Sequence, residues 1–156
     1  MTSPITGVTQ DNRLLAISTP LGEDVLLLAA LTGYEAISSP YQFELSLLST
    51  LDKRIAFTDI VGHPVSIEIL QADGSPRYIH GLVRSFAQAG ADDWYASYTA
   101  HVVPSIWFLS QRVNSRVFQK KSVTDSIEQV LGDVGVSNYQ LQCQGSYEAL
   151  EYCVQY

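Results

Sequence analysis

The chain has 156 residues, 46% of them apolar and only 16% charged, and its sixteen acidic and nine basic residues give a net charge of −7. That apolar content excludes a disordered chain and suffices for one core, or for one domain and part of another. The acidic balance has the wrong sign for binding nucleic acid or an anionic membrane.

The opening MTSPITGVTQDNRLLAI has no basic stretch leading into an apolar one. The longest apolar run, Val25–Leu31, has seven residues, against ~20 in a membrane helix. A soluble protein made in the cytoplasm without a signal peptide is expected. Leu14–Thr19 and Val25–Thr32 are β-rich runs flanking the turn-forming Pro20-Leu21-Gly22-Glu23-Asp24, a pattern that predicts a hairpin. Tyr41–Ser49, introduced by Pro40, alternates Phe43, Leu45 and Leu47 with Glu44, Ser46 and Leu48 and reads as a half-buried strand. Val65, Ile67 and Ile69 alternate with Ser66 and Glu68. Asp73-Gly74-Ser75-Pro76 then breaks the chain and Arg77–Phe86 resumes as a strand, a hairpin turning on Asp-Gly. After a turn at Gly90-Ala91-Asp92-Asp93, Trp94–Val103 alternates throughout, with Trp94, Ala96, Tyr98, Ala100 and Val102 on one face. Short strands with frequent turns predict a mainly β (α+β) fold, an antiparallel barrel or sandwich whose edges are closed or covered.

Pro104 ends this region and starts a short helical turn, Ser105–Ser110. Ser122 followed three residues later by Asp125 is a capping-box pattern. Val123, Ile127, Val130, Leu131 and Val134 then recur at helical spacing, so one amphipathic helix is expected near 122–135, with Gly135 as its C′ residue. Asn138–Gln144 alternates Tyr139, Leu141 and Cys143 and reads as a strand. Pro104 thus parts a strand-rich stretch, 1–104, from a later stretch, 105–156, that holds the helix. Because Tyr-Cys-Val-Gln-Tyr is a poor exposed terminus, the chain is expected to be the front part of something longer.

No Gly-x-Ser-x-Gly elbow, phosphate-binding glycine loop or His-Glu-x-x-His is present. For His63, His80 and His101 a satisfied structural role is favoured over a catalytic base or metal ligand, although the strand pattern allows His80 and His101 to meet across neighbouring strands. Glu23-Asp24 and Asp92-Asp93 sit at turns and read as solvated charge rather than as general acid–base pairs. Cys143 and Cys153 lack an adjacent base and a nearby His, so reduced thiols are expected in place of zinc ligands, a nucleophile or a disulfide. Residues 111–156 hold all of Arg112, Arg116, Lys120 and Lys121 within an acid-free stretch. These read as a solvated segment before the helix, or as a docking strip for an acidic partner or another copy. Trp107, Phe108, Phe118, Tyr139 and Tyr147 read as core residues, Tyr152 and Tyr156 as residues awaiting downstream sequence. No catalytic, cofactor-binding or metal residue and no cofactor is expected.

Several of these segments, in order, carry a resemblance. They are Tyr34-Glu35-Ala36-Ile37-Ser38 before Phe43-Glu44-Leu45, Asp59-Ile60-Val61-Gly62 before an alternating strand, and His80-Gly81-Leu82-Val83. Then come Tyr98–Pro104 with Trp107-Phe108-Leu109, Arg116-Val117-Phe118-Gln119 with Ser122-Val123, the helix ending at Leu131, and Glu151-Tyr152-Cys153-Val154-Gln155-Tyr156. Over roughly residues 10–156 the chain resembles the N-terminal part of VgrG, the valine–glycine repeat tip protein of type VI secretion systems. The resemblance implies a phage tail-hub type of β-barrel, with a first hub-like barrel domain at 1–104 and the start of a second hub-like section at 105–156, and a non-enzymatic structural role. It also implies a homotrimeric ring in the full-length protein, seated on the hexameric tube of haemolysin-coregulated protein (Hcp). Baseplate components and secreted effectors or adaptors are the further partners implied. Membrane contact would come only through a C-terminal needle, and export through the type VI machinery. The rival readings are a hub of a contractile phage or phage-derived particle, a small hydrolase using His80 or His101, and a carbohydrate-binding β domain using Trp94 or Trp107.

Overall fold

Period-two alternation of apolar residues shapes the first two-thirds of the chain, because successive strand side chains point to opposite faces of a sheet. The computed structural model describes residues 8–155, and the chain falls into two units that part between Pro104 and Ser105. The first unit contains β1 (Leu15–Ser18), β2 (Leu27–Ala36), β3 (Ser39–Thr50), a 3-10 turn (Phe57–Asp59), β4 (Pro64–Leu70), β5 (Pro76–Ala91) and β6 (Tyr95–Val103). They form one antiparallel sheet in the order β1-β4-β5-β6-β3-β2. Phe43, Leu45 and Leu47 of β3 and Ala96, Tyr98, Ala100 and Val102 of β6 are buried on the inner face, joined by Ile17, Leu28, Val65, Ile67, Ile79, Val83 and Phe86. Trp94, assigned to the same face from sequence, is exposed at the turn before β6. The 3-10 turn delivers Ile60 into this core fully buried, and Gly62, at a φ of 82°, donates its N–H to the Val83 carbonyl while the His63 carbonyl accepts the Val83 N–H.

The sheet curls because β5 bends. It pairs with β4 through Pro76–Leu82 and with β6 through Leu82–Ala91. Register shifts between Val83 and Ser85 and between Gln88 and Gly90 leave Arg84 and Ala89 as extra residues that raise the local twist. The Asp-Gly hairpin is as read from sequence: Gly74 has a φ of 81°, and the Asp73 carboxylate accepts the backbone N–H and the hydroxyl of Ser75 at 2.9 and 2.7 Å.

Two strand expectations need correction in this unit. The first two runs do not form a hairpin; β1 pairs with β4, Ile17 facing Ile67, and β2 pairs with β3, Leu27 facing Leu48. The connection between them swings through positive φ at Gly22 and Asp24, which carries β2 to the opposite margin of the sheet. The turn before β6 also comes later than expected. Gly90 and Ala91 still pair with Ser97 and Ala96, and the reversal is made where the Asp92 carboxylate accepts the N–H groups of Trp94 and Tyr95 at 2.8 and 2.7 Å.

The second unit holds a 3-10 turn (Ser105–Gln111), β7 (Arg116–Lys121), α1 (Val123–Asp133) and β8 (Leu150–Gln155), with β7 and β8 antiparallel. Ser122 caps α1: its hydroxyl accepts the Asp125 N–H at 3.1 Å and the Asp125 carboxylate accepts the Ser122 N–H at 3.1 Å, a complete capping box. At the other end Gly135 has a φ of 75°, its N–H bonds the Gly132 carbonyl and the Val136 N–H bonds the Leu131 carbonyl. This is a Schellman motif. The strand expected over Asn138–Gln144 is absent; the segment has no ladder partner, and Tyr139, Leu141 and Cys143 are exposed. The stretch before the helix is a strand instead, since Val117 and Phe118 face Val154 and Cys153 of β8. The expected apolar helix face is only partly used: Leu131 is buried, while Val123 and Ile127 are exposed. Tyr156 lies outside the described residues.

Candidate functional site

A protruding arm is the most developed surface of the first unit. The last ladder pair between β3 and β6 is Phe43 with Val102, so the β2–β3 hairpin runs on past the end of β6. Its tip is the two-residue turn Ile37-Ser38, with Ser38 at a φ of 62°. Ile37 is 98% exposed and Tyr34 62%. Pro40 fits the irregularity in β3 opposite Glu35, a place where its missing N–H disturbs no regular ladder.

Side chains hold this arm against β5, which also outruns β6. The Tyr41 hydroxyl donates to the His80 carbonyl, taking the place of a strand partner that β6 no longer supplies. Burial, with the nearby Glu35 charge adding to it, raises the Tyr41 pKa above the ordinary phenol value. Glu35 itself pairs with Arg77 at 2.5 Å. Gly81 makes the approach possible, since a Cβ there would stand 2.6 Å from Val102 Cγ1, 2.8 Å from the Val103 carbonyl oxygen and 3.3 Å from the Tyr41 hydroxyl. The sequence offered Tyr34-Glu35 and His80-Gly81 as parts of a pattern; it gave no sign that Tyr41, Glu35 and Arg77 tie those parts together.

The titratable residues singled out from sequence do not converge. His80 faces Ser66 of β4, with Nδ1 2.7 Å from the Ser66 hydroxyl. His101 faces Ser85 of β5, with Nδ1 3.0 Å from the Ser85 hydroxyl and Nε2 3.5 Å from the Glu44 carboxylate. The two imidazoles thus occupy different ladder positions, and the meeting that the strand pattern allowed does not occur. His63 is exposed after the 3-10 turn. Asp92 spends its carboxylate on the turn, and those N–H bonds hold its pKa below the usual range. A cleft of about 590 Å³ beside β1 is lined by Asp11, Arg13, Glu23, Asp24 and Glu68 among others, with no imidazole or thiol. Among the described residues no three His, Cys, Asp or Glu side chains gather as a metal site.

In the second unit the basic cluster is dispersed along β7 and the loop before it. Arg116 pairs with Asp133 and Lys121 with the Gln129 side chain, both on α1. Cys143 and Cys153 are free thiols. One face of β7 and β8 remains open: Val117 stands opposite Val154, and these two with Leu150 and Tyr152 are exposed. Trp107 packs edge-on against Phe108 at 5.2 Å, and Trp94 belongs to the first unit. The two tryptophans of the carbohydrate reading therefore sit in separate units.

Comparisons with known proteins bear on these surfaces. The sequence profile of the family described as phage tail baseplate hub (GPD) matches residues 34–156. The type VI secretion system spike protein VgrG1b of Pseudomonas aeruginosa is 35% identical over 96% of this chain and 20% of its own length. VgrG1a of the same organism is 34% identical over 94% of this chain and 23% of its own length. The actin cross-linking toxin VgrG1 of Vibrio cholerae is 26% identical over 87% of this chain and 13% of its own length. Among solved structures, the E. coli c3393 protein superposes with a TM-score of 0.71 at 18% identity, covering 90% of this chain and 38% of that one. It is described as a type VI secretion component structurally similar to the T4 bacteriophage tail proteins gp27 and gp5. The chain spans about a fifth of the length of the Pseudomonas spike relatives.

Proposed function

Because the chain belongs to the phage tail baseplate hub family, we propose that it is the structural hub portion of a type VI secretion spike, working by assembly rather than by turnover. The observation that carries the reading is the match at 35% identity across 96% of the chain to a named spike protein. His80 and His101, each bonded to a serine of its own strand pair, and Asp92, engaged at its turn, support a role without a catalytic constellation. In the whole protein three copies form a ring, and the ring docks on the hexameric Hcp tube with baseplate components around it. Effectors or adaptors travel with the assembled spike. The protein is made in the cytoplasm and leaves through the secretion machinery.

Uncharged, apolar projections such as Ile37 and Tyr34 suit contacts between copies of a chain that otherwise repels itself with a charge of −7. Analytical ultracentrifugation of the full-length protein at micromolar concentration tests the reading. A trimer is expected, and a stable monomer across that range overturns it. The family profile, named for a phage baseplate, also suits a hub of a phage-derived particle; the genes beside this one separate the two machines.

A further inference from the structure

The curled sheet brings its two margins, β1 and β2, together without a ladder between them. One side chain stands in that gap. The Gln10 carboxamide donates from Nε2 to the Ile17 carbonyl at 3.0 Å, and its Oε1 accepts the Ile17 N–H at 2.8 Å and the Leu28 N–H at 3.2 Å. Ile17 is on β1 and Leu28 on β2, and both are buried. A carboxamide carries the same donor and acceptor as a peptide unit, so Gln10 presents to β1 the pair of bonds that a neighbouring strand would present.

The position of Gln10 is itself fixed. The Arg13 N–H bonds the Gln10 carbonyl in a tight turn, with Asn12 at a φ of 58°. The Gln10 N–H donates to the Asp24 carboxylate at 3.0 Å, and Asp24 has a φ of 53°. The connection that carries β2 away from β1 therefore also anchors the residue that bridges them.

We infer that Gln10 is a strand surrogate, a latch that seals the β1–β2 seam and caps sheet margins otherwise open to strand addition. Neither Ala nor Glu copies it. Ala removes both functions, leaving two buried N–H groups and a carbonyl unpaired. Glu keeps the acceptor but loses the donor and sets a second negative charge beside Asp24.

Amide hydrogen exchange on the whole chain, resolved by residue, tests the latch. In Gln10→Ala, the amides of Ile17 and Leu28 are expected to exchange at least tenfold faster, while Leu45 and Ala100 at the centre of the sheet keep their protection. Gln10→Glu is expected to give a smaller acceleration at the same two amides. Unchanged exchange at Ile17 and Leu28 in Gln10→Ala overturns the inference, since packing alone would then hold the seam. If Gln10→Ala loses protection everywhere, Gln10→Glu decides: loss confined to the seam supports the latch, and uniform loss again overturns it.

Discussion

Gly33 of β2 faces Phe43 of β3, and the Phe43 ring fills the place of the missing side chain. A Cβ on Gly33 would lie 1.9 Å from Phe43 Cδ1, and Phe43 is itself in the core. Gly33→Ala is thus an overpacking substitution, expected to cost about 1–3 kcal/mol in a urea titration. Tyr41 gives a second test at this scale. Its folded pKa lies above the ordinary phenol value because burial, and then the Glu35 charge, disfavour the phenolate. Below the unfolded pKa both states keep the proton and the contribution is complete; as pH rises towards the folded pKa the unfolded state ionises first and stability falls. Tyr41→Phe is expected to lose about 1 kcal/mol for the hydrogen bond to His80, and to show a shallower loss of stability than the parent above pH ~10. An unchanged alkaline slope counts against the assignment.

At the scale of the element, α1 depends on its termini more than on its buried face, because Val123 and Ile127 are exposed. Ser122→Ala removes the acceptor for the Asp125 N–H and the hydroxyl that donates to the Asp125 carboxylate at 2.6 Å, and is expected to cost about 1 kcal/mol. The Asp125 pKa is lowered, first by the Ser122 hydroxyl and then by its N–H. Its contribution is therefore present above the ordinary aspartate range and is lost as pH falls through the depressed folded value. Helix content followed by circular dichroism should fall less steeply with acid in Asp125→Asn than in the parent. These caps were legible in the sequence because Ser-x-x-Asp and a following Gly each act within a few residues. The alternating strands were legible for the same reason. Pairing was not: β1 finds β4 across the intervening β2 and β3, and the side chain that bonds both β1 and β2 is a glutamine with no strand signature. β7 was obscured by its charges, since Arg116 and Lys121 reach partners on α1 while Val117 and Phe118 follow the strand alternation. Alternation alone allowed His80 and His101 to meet, and only the register, which sets them opposite Ser66 and Ser85, parts them; the arm likewise needed the positions of Tyr41, His80 and Gly81 in three dimensions.

Across the whole molecule, burial is divided unevenly between the two units. The cluster running from Ile17 to Val102 lies within the first. In the second, Phe118 and Leu131 are the buried apolar side chains among the described residues. A unit of this size needs most of its apolar surface covered to offset the conformational entropy of ordering it, and two core residues with an exposed Val117–Val154 face do not reach that. Separated between Pro104 and Ser105, residues 1–104 are expected to unfold cooperatively in urea on their own, with the dispersed amide spectrum of a sheet. Residues 105–156 alone are expected to show no cooperative transition, keeping at most frayed helix around the Ser122 cap. A sharp urea transition from the isolated second unit would mean that its open face is not a deficit, and that the boundary after Pro104 separates two self-sufficient domains. Its absence, with folding intact in the first, makes the sheet the independent body and the later unit one that depends on contacts made elsewhere in the assembled protein.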